Sequence, residues 1–79
     1  MDSLSRIKLE ILASLSHQEA EEGLYFENLC HVHEEEERVA VVGDNLEVIA
    51  ALGELIKSGE IVADNSGDKP VFFLAKKLQ

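Results

Sequence analysis

The chain is poor in what most function classes require: it has one cysteine, one proline, and seven lysines and arginines in 79 residues. The lone Cys30 cannot close an internal disulfide, which suits a reducing compartment and makes the cytoplasm the expected location. No apolar stretch approaches the roughly 20 residues that a bilayer span needs. The opening Met1, Asp2, Ser3 is not the basic-then-apolar start of an export leader, so neither membrane insertion nor export is expected. Internal repeats, low-complexity linkers and heptads are likewise missing.

Catalytic arrangements are equally scarce. No Ser–His–Asp or Cys–His grouping and no glycine-rich phosphate loop occurs at usable spacing, and one small domain leaves scant room for a ligand-sized pocket. The expectation is a protein that is not an enzyme, with no catalytic residue, no cofactor and no metal. The segment Cys30, His31, Val32, His33, Glu34 does contain metal-ligand types, and on a helix Cys30, His33, Glu34 and Glu37 would share a face. Structural zinc takes four converging ligands, however, and only His17 lies elsewhere as an obvious contributor. A buried thiol beside solvated histidines is the preferred interpretation.

What is present points to one folded domain over residues 1–79. The 46% hydrophobic and 29% charged residues fit a globule, and a chain this short cannot divide its apolar side chains between two cores. Sixteen aspartates and glutamates outweigh seven cations, for a net charge of −9. A field of that sign repels polyanions, since nucleic-acid affinity comes largely from cations displacing counterions from phosphate. Glu34 to Glu37, with Glu19, Glu21 and Glu22, concentrate the charge around the second helix; a solvated face is the usual explanation, and docking on a basic partner or imitation of nucleic-acid charge is the alternative.

Leu4, Ile7, Ile11 and Leu15 recur at steps of three and four, predicting a first helix from about Ser3, its expected N-cap, to Gln18. Leu24, Tyr25 and Phe26 form a strand stub after Gly23, too short to stand without a partner strand. A second helix is expected over about Glu27 to Glu36, with Arg38 to Val42 ambiguous between helix and extended connection. Asp44, followed by Glu47, resembles a capping box opening a third helix over Asn45 to Ser58, with Gly59 at its C-cap. Within it Leu46, Ile49, Leu52, Gly53 and Ile56 are assigned inward. Ile61 to Ala63 and Val71 to Ala75 are β-prone runs joined by turn formers, a hairpin with a loose tip. Alternation along a strand sends Phe72 and Phe73 to opposite faces, leaving one ring partly exposed.

This order of helix, strand stub, helix, helix and hairpin resembles the winged-helix family, an α+β fold with three helices and a C-terminal hairpin wing. The passage Leu46 to Leu74 carries the likeness, most specifically Leu52 to Val62, in which Leu55, Gly59 and Ile61 match a Leu-x-x-x-Gly-x-Ile ending of the third helix. There the leucine packs the helix on the core, the glycine reverses the chain, and the isoleucine re-enters the core. In DNA-binding relatives the exposed side of that helix enters the major groove while the wing touches backbone or minor groove.

Periodicity puts Glu47, Ala51, Glu54 and Ser58 on the outward stripe, with Asn45, Val48, Leu55 and Lys57 beside it. Only Lys57 is cationic, and the wing Asn65, Ser66, Gly67, Asp68, Lys69 offers one lysine offset by Asp64 and Asp68. Nucleic acid is therefore a partner disfavoured by charge, unless Arg6, Lys8, Lys76 and Lys77 gather into a basic patch. For a protein partner, Val48, Ala51 and Leu55 would make an apolar strip flanked by Glu47, Glu54 and Lys57. Alternatively, Val48 and Leu55 merely widen the buried face. The resulting expectation is a protein-interaction or dimerisation module, either a homodimer or an adaptor, with a small DNA-binding regulator as the alternative.

Overall fold

The computed structural model describes residues 3–17, 23–31 and 40–75. The first helix, α1 (Ser3–Ser16), buries Ile7, Ile11 and Leu15 at helical spacing, so its apolar stripe points into the core as the periodicity requires. Ser3 is already helical and not a cap standing before the helix, which closes two positions short of Gln18.

After Gly23 the chain forms the two-residue strand β1 (Leu24–Tyr25) and passes directly into α2 (Phe26–Cys30). Gly23 has φ +90°, and a Cβ there would lie 2.5 Å from Val71 Cγ1, so both backbone and space demand glycine. The second helix is shorter than its sequence pattern indicates. His31 is extended, and its N–H closes on Glu27 O, so a five-residue helix is held chiefly by burial of Leu29. The rest of the expected helix lies outside the described residues. Part of the ambiguous connection is described and is not helical: the Val41 N–H donates to Leu29 O (2.8 Å) and the Val42 N–H to Glu10 Oε1 (3.0 Å).

The third helix, α3 (Asn45–Ser58), has the expected bounds and caps. Asp44 Oδ1 accepts from the Glu47 N–H at 3.0 Å. At the other end Gly59 takes φ +84°, its N–H bonds Ile56 O, and the Glu60 N–H bonds Leu55 O. Those two bonds form the paired closure of a Schellman turn, which satisfies the last carbonyls and reverses the chain.

The reversal feeds β2 (Ile61–Asp64), which pairs antiparallel with β3 (Val71–Leu74), as the expected hairpin. β1 adds to the other side of β3 with Leu24 opposite Phe72, giving a three-stranded antiparallel sheet in the order β1-β3-β2. Phe72 is buried and Phe73 half-buried, as alternation predicts, and the Phe73 ring lies beside Gly23. The molecule is thus an α+β fold with three helices and one small sheet among the described residues, in a winged-helix-like layout. None of the described helices is long and apolar enough to cross a membrane.

One buried cluster joins α1, α3 and the sheet, with Leu29 and Val41 sealing the side near α2. α3 is turned differently from its expected setting. Val48, Ala51, Leu52 and Leu55 are buried, whereas Leu46 is 80% exposed, Ile49 55% and Ile56 40%. Gly53 is likewise on the solvent side.

The physical reason is that apolar residues occupy most of the circumference of α3, so spacing allows two inward stripes and does not choose between them. The ends choose. The Schellman turn carries the chain directly from Leu55 to Ile61, setting both residues into one core, and Gly43 packs against Ile7 and Val48 at the start.

Candidate protein-interaction surface

The strip expected to meet a partner does not exist as such: Val48, Ala51 and Leu55 are core residues, packed inward by the rotation of α3. The polar members of that expectation remain outside. Glu54 is exposed and accepts from Lys8 Nζ at 2.7 Å, tying α3 to α1; Lys57 is exposed; Glu47 is half-buried in the first helical turn.

An apolar surface is nevertheless present on α3, one flank away. Leu46, Ile49, Gly53 and Ile56 follow one another at helical spacing along its outer side. Beside them, Ile49 and Ile56 join Phe26 and Pro70 around an open hollow of 340 Å³ whose remaining lining is Leu52, Gly53 and Phe72. Among the described residues no charged side chain lines it. Periodicity alone assigns Leu46, Ile49, Gly53 and Ile56 to the core, and the structure places them outside it. The motif Leu55, Gly59, Ile61 held the corrective signal, because a core leucine at that position phases the whole helix.

The wing residues Asn65, Ser66, Gly67, Asp68 and Lys69 are all exposed at the hairpin tip. The Ser66 N–H donates to Asp64 Oδ1 at 2.9 Å, and this backbone bond, helped by the Ser66 hydroxyl, holds the Asp64 carboxyl below its ordinary range. An aspartate so stabilised as the anion keeps the tip negative.

Three cations named as possible phosphate contacts each meet a carboxylate within the chain. Arg6 Nη1 bonds both oxygens of Glu10 at 3.0 Å, Lys8 bonds Glu54, and Lys69 Nζ lies 3.1 Å from Glu27 Oε1. Exposed pairs like these contribute little to stability. Their effect is local cancellation of the charge that a phosphate backbone would need. Lys76 and Lys77 lie outside the described residues.

Of the four side chains that would share that helix face only Cys30 is described; His33, Glu34 and Glu37 are not. Cys30 is half-buried and desolvation raises its pKa, so the thiol stays protonated and is a weak nucleophile and ligand in that state. Among the described residues no group of three His, Cys, Asp or Glu side chains converges on a point where a metal could sit. Comparison of the chain with protein-family profiles, curated proteins and solved structures finds no match.

Proposed function

We propose that this chain is a non-catalytic module on a winged-helix scaffold that works by protein association, in a homodimer or as an adaptor for another chain. The observation that carries this reading is the oily outer side of α3, where Leu46, Ile49 and Ile56 stand in solvent along one helix. Exposed apolar patches with polar borders are characteristic of protein interfaces. The scaffold assignment draws support from the order of elements and from Leu55, Gly59 and Ile61. A cytoplasmic setting is favoured by the single cysteine.

A small DNA-binding regulator using α3 and the wing is the second reading, favoured by the same order of elements. Against it, α3 would offer a duplex three large apolar side chains and one lysine, from a chain of net charge −9. Retention on duplex DNA at low salt tests the choice. The expected outcome is no retention; tight binding with a steep salt dependence overturns the association reading in favour of the regulator.

A further inference from the structure

We infer that the outer side of α3 pairs with α3 of a second copy, antiparallel about a two-fold axis at the level of Leu52. The inference rests on the association reading above and names its occupant.

The elements on either side of α3 orient its surface. Ile49 and Ile56 border the hollow shared with Phe26 and Pro70, so they mark the flank toward α2 and the wing. Glu54 reaches Lys8 of α1, so it marks the opposite flank, and Glu47, two turns earlier, shares that flank. Between them runs a crest of Leu46, Ala50, Gly53 and Lys57, with Lys57 leaning toward the acidic flank.

A two-fold axis that reverses the helix keeps each flank on its own side and exchanges residues about the axis level. Glu47 and Lys57 are equally spaced on either side of Leu52, so each Glu47 meets the Lys57 of the other copy. Ile49 and Ile56 are nearly so, and they meet on the opposite flank. Ala50 and Gly53 face each other across the centre. Among the described residues nothing beyond the helix's own backbone lies within 4 Å of the position a Cβ would take on Gly53, so the middle of the contact is open to a close approach. One register therefore aligns opposite charges on one flank, aliphatic side chains on the other and small residues between. Lys57 is the one cation on α3, and in this register it faces an acid.

A foreign basic helix could satisfy the acids but would gain nothing from Lys57. The second copy satisfies both partners twice by symmetry. Long-range repulsion between chains of net charge −9 opposes the pairing and is screened at physiological ionic strength over about 8 Å.

Charge reversal with rescue tests this on the full chain by sedimentation or light scattering at high protein concentration. Wild type is expected at twice the 8.7 kDa chain mass. Glu47→Lys and Lys57→Glu, each placing like charges together at both symmetric positions, weaken association by about tenfold or more. The double variant, with the pairs reversed, returns toward wild type and also shows that both positions tolerate the change in the folded state. Three results overturn the inference: a monomeric wild type, a dimer indifferent to both single reversals, or a double variant no better than the singles. A monomer that also ignores DNA removes self-pairing alone and leaves a foreign protein partner, whereas tight salt-sensitive DNA binding removes the association reading itself.

Discussion

Along one side of α3, Val48, Ala51, Leu52 and Leu55 are packed against α1 and β2; along the other, Leu46, Ile49 and Ile56 meet solvent. The two sides are built from nearly the same residue types. Hydrophobicity therefore does not decide which is inside. What decides is how the helix ends are tied: Asp44 fixes where it starts, and the turn through Gly59 fixes which side faces Ile61. The apolar residues on the outer side are surplus to the core, and that surplus is the observation on which the functional proposal stands.

The largest test of this contrast exchanges one residue on each side. Leu55→Ala, in a site 2% exposed, should cost about 2–5 kcal/mol by chemical denaturation. Ile49→Ser, measured in dilute solution, should stay within about 0.5 kcal/mol of wild type. Comparable losses at both positions would abolish the distinction between the sides.

Two glycines sharpen the same contrast with opposite signs. A Cβ on Gly43 would approach Ile7 Cδ1 to 2.7 Å, and Ile7 is fully buried and has nowhere to swing. Gly43→Ala should therefore lose about 1–3 kcal/mol. Gly53 faces open space in the middle of a helix, so Gly53→Ala should raise the stability of the isolated chain by about 1 kcal/mol, read as a higher Tm.

The smallest effect belongs to a residue wholly in solvent. Asp64 has a folded-state pKa below its ordinary 3.8, because the Ser66 N–H favours the anion. Its contribution is present above that value and is lost as the pH falls through the depressed one. The small advantage of wild type over Asp64→Ala should thus fade below the ordinary aspartate range, seen in unfolding curves collected across the acid range.

Much of this architecture was legible in the sequence because it depends on local chemistry. The bounds of α3 follow from Asp44 and Gly59, the hairpin from its turn formers, and the inward stripe of α1 from a helix that is apolar on one side only. The facing of α3 was not legible by periodicity, since two stripes competed. It was implicit in Leu55, Gly59 and Ile61, a constraint that joins neighbouring elements. The early end of α2 goes with a tertiary contact, the Val41 N–H on Leu29 O, between residues twelve apart that periodicity does not connect.

The central position of β3 has a consequence for timing. Among the described residues Leu24 and Tyr25 pair with Phe72 and Val71, which follow them by more than forty-five positions, and β2 also waits for the same strand. A chain emerging from the ribosome can form its helices early, but the sheet has no middle until the last strand is delivered. Closure then joins residues far apart in the chain, and until it occurs the inner side of α3 can be covered by α1 but not by the finished sheet.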